Sequence, residues 1–363
     1  MQPRRATLER MNMPHGVMPA SSVPVNPLEY PGWDDLVAQH REGSFFHGTA
    51  WARVLHDTYG HVPTYFCQSS EGRLDGLFAV MEVSSPWTGR RGVALPFTDL
   101  CPPLSLANPS GGELFNRALE YGRSRRWKYL ECRGGVSQWP GASPSVTFYA
   151  HVLDLTIGDA ALFAGTESAV RRGIRKSERA GLSVRFSNTL DSVRDFFGLH
   201  CQTRRRHGLP PQPYRFFENI GRHVIVPGLG WVISVEQHGR PLAAAIFFHF
   251  NRQVFYKFGA SDLAFQGLRP NNLLMWEAIK WYAAQGFETL HFGRTEFSHE
   301  GLRRFKLGFG AREERLDYCR YNFSRSSFVQ VADGVDGWFN TVFRALPQPL
   351  LRFAGSALYP HLS

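Results

Sequence analysis

A lysine in an aromatic, glycine-rich frame is the residue of this chain whose surroundings best suit catalysis. Lys306 lies in the run RFKLGFG at residues 304–310, where phenylalanines shield its ammonium and glycines let other backbone approach it. An ammonium aimed at a developing oxyanion in a dry site is a strong catalytic device, and losing one such donor costs roughly 100- to 1000-fold in rate. The alternative is a surface lysine that pairs with a nearby acid such as Glu300.

The loop before a capped helix offers a site for an anion. A predicted strand at 254–260 leads into a predicted helix at 271–285, whose first backbone N–H groups face solvent. Asn271 or Asn272 caps this helix, and Pro270 fits its first turn. The alternative is a plain capped helix without a ligand. The predicted donor-binding residues are Gln266, Gly267, Arg269, Asn271 and Asn272.

Charged residues after two strands predict a pocket for an acceptor. Arg294 and Thr295 follow a strand that ends in glycine, and the next residue, Glu296, is placed to accept a proton from an attacking amine. His299 is the alternative base. Asp99 directly follows a further predicted strand. Each of these side chains fits an ordinary solvated loop or turn as well.

Two basic clusters predict contacts with phosphate groups. Arg171 and Arg175, with basic neighbours, share a helix predicted at 166–180, where residues three or four apart lie on one face. A second cluster spans residues 204–206. Both clusters suit the phosphates of tRNA or of a lipid-linked or nucleotide-linked sugar, and we assign Arg171 and Arg175 to the acceptor. The alternative is that each run is only a solvated helix face.

Motifs of several other enzyme classes are missing from the sequence. The five cysteines are scattered without a C-x-x-C pair, and the 14 histidines form no H-E-x-x-H pattern. A G-x-S-x-G nucleophile elbow and a Walker loop are also missing. We therefore predict no metal site and no disulfide framework, and a reducing cytoplasm as the location.

Composition indicates a basic chain with ample material for packed cores. A length of 363 residues suggests about two domains. The chain carries a net charge of +10 and is 43% hydrophobic. A basic surface favours anionic partners such as nucleic acid, phospholipid headgroups or phosphate-bearing small molecules. The first 26 residues lack the apolar segment of a secretory signal. The apolar run at 242–248 is far shorter than the roughly 20 residues of a membrane helix, so we expect at most peripheral contact with the inner membrane face.

The predicted elements repeat in order along the chain. Each half reads as helices, several strands, a helix and a further strand, which is typical of two copies of a mixed α/β unit. The strands of the first half include segments predicted at 65–68, 74–83, 93–97, 129–133 and 151–155. The predicted parts are a disordered segment (1–26), an N-terminal domain (27–155), a C-terminal domain with the donor site (156–325) and an amphipathic tail (326–363).

Several segments together resemble the FemAB-type acyltransferases of the GNAT superfamily. In the second half the matching segments are residues 256–262 (YKFGASD), 270–277 (PNNLLMWE), 292–295 (FGRT) and 301–306 (GLRRFK). In the first part of the chain they are residues 45–51 (FFHGTAW), 95–99 (LPFTD) and 171–176 (RRGIRK). The resemblance covers roughly residues 27–325 and implies two tandem GNAT-like α/β domains with mixed central sheets around a shared cleft.

The resemblance also implies an activity and roles for several residues. The family transfers an acyl or aminoacyl group to a primary amine, with Lys306 at the position that stabilises the donor carbonyl and Asp99 near the acceptor. The loop at 266–271 departs from the Gln/Arg-x-x-Gly-x-Gly/Ala pattern that cradles coenzyme A, as in members that use aminoacyl-tRNA. The implied donor is therefore acyl-CoA or aminoacyl-tRNA, with no tightly bound cofactor.

The implied acceptor is a peptidoglycan, polysaccharide or other cell-envelope precursor. The tail at 338–362 resembles the ending of exosortase-associated members, which points to polysaccharide or surface-protein export. The alternative from another class is a basic module that binds RNA or an anionic membrane surface without catalysis, since phosphate binding alone would explain both basic clusters.

Overall fold

One continuous mixed sheet runs through the molecule. In the computed structural model, residues 24–70, 72–105, 110–331, 343–344 and 346–362 are described, and within them the sheet has 13 strands. Those of the first half are β1 (Val62–Ser70), β2 (Arg73–Ser85), β3 (Gly89–Val93), β4 (Leu104–Ser105), β5 (Tyr129–Arg133) and β6 (Val146–Asp154). Those of the second half are β7 (Ser183–Ser187), β8 (Gly230–Gln237), β9 (Arg240–Phe250), β10 (Gln253–Ser261), β11 (Thr289–Thr295), β12 (Arg312–Asn322) and β13 (Ser327–Val329).

Helices cover both faces of this sheet. They are α1 (Trp33–Gln39), α2 (Thr49–Tyr59), α3 (Ser110–Ser124), α4 (Asp159–Gly165), α5 (Ser168–Arg179), α6 (Leu190–Arg206), α7 (Tyr214–Ile220), α8 (Pro270–Ala284), α9 (Glu300–Leu307) and α10 (Gln348–Leu358). Helix α2 shows why such segments form. Its apolar residues Trp51, Val54 and Leu55 are fully buried on one face, and Gly60 ends the helix at φ 70°.

The alternation of side chains along the strands builds separate cores on the two faces. Tyr65 faces a large core shared by α1, α2, α6 and α7, whereas the next residue, Phe66, faces the core under α3. In the second half, Val232 faces the shared core and Ile233 faces the core under α5 and α8. The shared core therefore joins the two halves on one side of the sheet.

The two halves repeat the same topology and exchange their last strands. Strand β3 is parallel to β5 across the connection that holds α3, and β10 is parallel to β11 across α8. The strand order is β1-β2-β3-β5-β12-β6-β11-β10-β9-β8-β7. Strand β12 thus pairs with β5 of the first half, and β6 pairs with β11 of the second. The predicted boundary at residue 155 divides the sequence, but the sheet has no matching break.

The predicted strand at 93–97 is wrong in its second part. Strand β3 ends at Val93, and the chain then turns, with φ of 55° at Leu95 and 59° at Phe97. Residues other than glycine rarely adopt such positive φ values, so contacts from elsewhere must hold the turn. Asp99 directly follows this turn, so the turn fixes its position.

The described part of the tail packs on the body. In α10, Leu351 is buried, and a Cβ on Gly355 would lie 2.0 Å from the Pro211 carbonyl oxygen, so only glycine fits this close approach. Residues 332–342 of the predicted amphipathic tail lie outside the described residues, as does nearly all of the segment 1–26. No described helix combines the length and apolar character needed to cross a bilayer.

Candidate active site

The site begins where two parallel strands part. Strands β10 and β11 are paired over only three positions, the last being Phe255 with His291. Beyond this point β10 follows β9 to its end, while β11 bulges away along β6 between His291 and Arg294. A parallel sheet that opens in this way exposes backbone groups of both strands toward the gap. A cavity of about 20 Å³ lies in the gap, with Asp99 in its wall.

Contacts from distant strands hold Asp99 in this gap. The Arg133 guanidinium donates to the carbonyls of Leu95 (3.1 Å) and Thr98 (2.9 Å) and so fixes the strained turn. The Tyr318 hydroxyl donates a short hydrogen bond to the Asp99 backbone carbonyl. Gly293, at φ 72°, completes the arrangement, because a Cβ there would lie 2.8 Å from the Asp99 carboxylate.

Asp99 forms a largely buried ion pair with Lys257. The Lys257 Nζ lies 3.2 Å from Asp99 Oδ2, and the two side chains are 5% and 27% exposed. Burial by itself raises the pKa of Asp99, but the charges of Lys257, Arg294 and Lys306 outweigh it and hold that pKa below its ordinary value. Burial lowers the pKa of Lys257, and Asp99 opposes this effect. Asp99 is therefore an anion at neutral pH, suited to orienting a substrate rather than to storing a proton.

A larger cavity of about 810 Å³ reaches Asp99 from the face that carries α6. Its charged lining consists of Lys257, Arg133, Arg204, Arg294 and Arg320 against Asp99 and Glu131. Five cations against two anions leave a formal charge of +3, so the cavity favours an anionic guest. Four of the five are already bound within the protein: Lys257 to Asp99 at 3.2 Å, Arg133 and Arg320 to Glu131 at 2.9 and 2.5 Å, and Arg204 to the Tyr359 hydroxyl.

Arg294 is the cation best placed to meet a substrate. Its guanidinium lies over the rings of Phe148 (4.5 Å) and Tyr318 (5.5 Å), and its Nε is 3.8 Å from Asp99 Oδ1. The side chain is 38% exposed and lines both the small and the large cavity. The sequence predicts Arg294 as an acceptor-binding residue, and the structure places it in the cavity wall beside Asp99.

Lys306 is buried but turns toward backbone rather than toward either cavity. It is 2% exposed, and its Nζ donates to the carbonyls of Gly293 (2.9 Å) and Arg294 (3.0 Å). Burial lowers the pKa of Lys306 to about 8 against a smaller opposing effect of Asp99. Neither cavity that Asp99 lines includes Lys306 in its wall. The ammonium therefore holds the bulged segment of β11 in place through two backbone hydrogen bonds.

The predicted donor loop forms a turn of 3-10 helix before α8. Asp262 caps this turn, and Arg269 adopts φ 61° immediately before Pro270 opens α8. Helix α5 packs against this end, where the Ser177 hydroxyl donates to the carbonyls of Leu268 (2.7 Å) and Arg269 (2.9 Å). The exposed predicted donor residues are Gln266, Gly267 and Arg269, while Asn271 and Asn272 are half-buried.

Other predicted site residues lie apart from the cavities. Glu296 and His299 are solvent-exposed, at 55% and 62%, and their side chains face each other at 3.7 Å. Thr295 is buried. Arg171 donates to the carbonyls of Ala164 (3.0 Å) and Thr166, where α4 ends, so its guanidinium is occupied within the protein.

Arg175 is exposed on α5, which packs on α8 rather than on the cavity face of the sheet. Both residues lie away from the two cavities that Asp99 lines, and their predicted part in binding the acceptor stays a prediction. Arg171 holds a helix end, and Arg175 faces solvent.

Lys257 and Tyr318 are site residues that sequence reasoning missed. Lys257 lies inside the run YKFGASD, where a lysine among apolar strand residues was the available signal. Its ammonium also lies 5.7 Å from the centre of the Phe46 ring. Tyr318 comes from the exchanged strand β12, and no local pattern links it to Asp99. The described residues contain no cluster that would hold a metal ion.

Comparisons with known proteins agree with this architecture. Residues 165–312 match a family model described as an acetyltransferase (GNAT) domain. A search of curated proteins found no match. Similar solved structures include a crystal structure of FemX, which is 15% identical with a TM-score of 0.64, over 78% of this chain and 94% of that chain.

Two further solved structures show the same likeness. One is the C-terminal domain of a putative lysylphosphatidylglycerol synthetase from Agrobacterium fabrum, 14% identical with a TM-score of 0.54, over 87% of this chain and 94% of that one. The other is a tandem GNAT protein from the clavulanic acid biosynthesis pathway. It is 12% identical with a TM-score of 0.51, over 83% of this chain and 98% of that chain. At these identities the likeness concerns the fold, and the predicted tandem GNAT-like fold is confirmed.

Proposed function

We propose that this chain is a FemAB-like GNAT acyltransferase, with its GNAT domain at residues 165–312. On this premise, it acylates the primary amine of a phosphate-bearing cell-envelope or polysaccharide precursor. GNAT enzymes take acyl-CoA as donor and an amine as acceptor. The observation that carries the finer proposal is the cationic cavity of about 810 Å³ that ends at Asp99, beside the gap between β10 and β11.

The cavity suits an acceptor that carries a phosphate close to its amine. Arg294 is exposed enough to bind phosphate, and Asp99 lies beside it to orient an amine toward the gap. The acyl carbonyl would lie in the gap, where opened strands offer N–H groups to a developing oxyanion. Because the amine is itself the nucleophile, no covalent enzyme intermediate is needed.

The donor is acyl-CoA or aminoacyl-tRNA, and the loop before α8 is compatible with either. This loop has a single glycine, Gly267, whereas the loops that cradle coenzyme A usually have two small residues. Arg269 is exposed close to it. The names FemX and lysylphosphatidylglycerol synthetase belong to proteins of the same fold, and the second name describes aminoacyl transfer to a phospholipid. Stabilisation of the protein against heat by any acyl-CoA, but not by tRNA, would favour coenzyme A.

The test is transfer to glucosamine 1-phosphate and to glucosamine from a panel of acyl-CoAs and from aminoacyl-tRNA, with amide formation followed by mass spectrometry. We expect the phosphorylated sugar to be preferred. Arg294→Met should raise its KM about tenfold, because a charge-assisted hydrogen bond is lost. Arg222→Met, an exposed arginine paired with Glu218 outside the cavity, is the matched control and should change nothing. Equal use of both sugars, or no amide from any donor, would contradict the proposal.

A further inference from the structure

A buried histidine on β6 faces the same gap as Asp99. His151 is the cross-strand partner of Glu313 on β12, and it lies opposite the bulge of β11. Its side chain is fully buried and lines the small cavity together with Asp99 and Gly293. A titratable side chain in the wall of a reaction gap is a candidate for proton transfer.

Hydrogen bonding determines which ring nitrogen of His151 is free to accept a proton. The Nε2 atom lies 3.1 Å from Glu313 Oε2, and Arg303 holds the same carboxylate with bonds of 2.6 and 2.8 Å. Those bonds from Arg303 lower the pKa of Glu313. An ionised carboxylate only accepts, so Nε2 carries the hydrogen and Nδ1 keeps its lone pair. Among the described residues, Nδ1 is buried without a hydrogen-bond partner.

We propose that His151 and Glu313 form the proton-accepting pair of the transferase, with His151 Nδ1 taking the proton of the acceptor amine through one water in the small cavity. This inference rests on the proposed function. The cavity of about 20 Å³ has room for one water molecule, since roughly 10–15 Å³ is enough. Its wall joins His151 to Asp99 and Gly293, where the amine and the carbonyl meet.

The proton and electron changes balance within this arrangement. The amine nitrogen forms a bond to the acyl carbon, and the bond from that carbon to the donor's sulfur or oxygen breaks with its electron pair. The proton lost by the amine passes through the water to Nδ1. Glu313 stabilises the imidazolium through Nε2–H, and the proton then returns to the leaving sulfur or oxygen. This is general base catalysis, which contributes typically 100- to 10,000-fold in rate.

The charges around His151 favour the neutral ring that a base requires. Burial lowers the pKa of His151, and the charge of Lys306 on α9 lowers it further, against the opposing effect of Glu313 on β12. Arg303 on α9 also lowers it. Asp99, Lys257, His291 and Arg294 face the ring across the small cavity. Since the pKa lies below 6.5, the ring is neutral at pH 7 and can accept a proton.

Nitrogen-15 NMR of the histidine rings in the full chain tests the arrangement without any substrate. We expect His151 to be the Nε2–H tautomer at pH 7 and to titrate below 6.5. Glu313→Gln should shift the tautomer balance, because the carboxylate acceptor is lost. An Nδ1–H tautomer in the wild-type protein, or a charged ring at pH 7, would overturn the inference whether or not a substrate is known.

Kinetics with glucosamine 1-phosphate as acceptor give the second readout. His151→Asn should lower kcat about 100-fold with little change in KM, and should remove the ionisation below pH 6.5 from the kcat profile. Glu313→Gln should lower kcat by a smaller factor than His151→Asn does. His238→Asn, at an exposed turn where φ is 50°, is the matched control and should keep the wild-type kcat and pH profile. A wild-type protein that transfers while His151→Asn keeps its rate and pH profile would refute the pair and leave the proposed function standing.

Discussion

At the scale of single residues, the site depends on charges that the protein itself holds in place. Asp99 stays ionised because Lys257, Arg294 and Lys306 surround it. Each cation has a different task in the geometry: Lys257 pairs with the carboxylate, Arg294 faces the cavities, and Lys306 binds carbonyls of β11. Replacing one of them by another basic residue would therefore not preserve the site.

The buried ammonium of Lys306 predicts a pH dependence of stability. Its pKa of about 8 in the folded protein lies below its ordinary value of 10.5, so the unfolded chain binds more protons between these values. Stability contributed by this group must therefore rise as pH increases from 8 to 10. The free energy of unfolding of the wild type should gain roughly 2 kcal/mol relative to Lys306→Met over that interval.

Urea unfolding of both proteins at pH 8 and pH 10 measures this difference. Lys176→Met removes one ammonium from the exposed face of α5 and serves as the control. Parallel pH curves for the wild type and Lys306→Met would show that the Lys306 ammonium is not desolvated in the folded protein.

At the scale of elements, one helix end gives part of a basic cluster a structural role. Arg171 closes the end of α4 from the first turn of α5, because its guanidinium reaches the carbonyls of Ala164 and Thr166. Such carbonyls at a helix C-terminus have no partner within the helix and attract cations. The basic run RRGIRK thus contains one residue that stabilises a helix connection and others that face solvent.

Arg171→Met should therefore change stability rather than binding. We expect a loss of about 1–2 kcal/mol in the free energy of unfolding, since charged hydrogen bonds to carbonyls disappear. The KM for the acceptor should stay the same. Arg175→Met, four residues along the same helix and exposed, should stay within about 0.5 kcal/mol of the wild type. A raised KM at unchanged thermal stability would restore Arg171 to the acceptor site.

At the scale of the whole molecule, the exchanged strands make the two halves depend on each other. Strand β5 has β12 as its partner on one side, and β6 lies between β12 and β11. A first half cut at residue 155 therefore leaves β5 and β6 with unpaired edges and removes one side of the shared core.

Residues 27–155 alone should not fold. We expect a collapsed amide proton spectrum for this fragment and a single calorimetric transition for the full chain. The control is the same fragment co-expressed with residues 156–331, which restores both the partner of β5 and the other side of the shared core and should recover signal dispersion. A well-dispersed spectrum from 27–155 alone would contradict the interdependence of the halves.

The whole-molecule view also explains which parts of the fold were predictable. Strand β5 at 129–133 was predicted with the bounds that the structure has, and the helix predicted at 271–285 is α8 at Pro270–Ala284, because apolar residues and the glycine that follows each segment mark them. The strand at 93–97 failed because its turn depends on Arg133 and Tyr318, which lie about 35 and 220 residues away. Local propensity contains no information about partners at that distance.

The sequence by itself determined the tandem α/β units, the helix that follows β10, the presence of Asp99 and Arg294 near strand ends, and that of Lys306 in an aromatic, glycine-rich run. Tertiary structure alone decided which of these charges meet. The gap between β10 and β11 opens because β11 bulges along β6, a strand of the other half. The pairing of β6 with β12 then brings His151 and Tyr318 to the neighbourhood of Asp99. Long-range strand pairing sets such distances, and it leaves no trace in the spacing of residues along the chain.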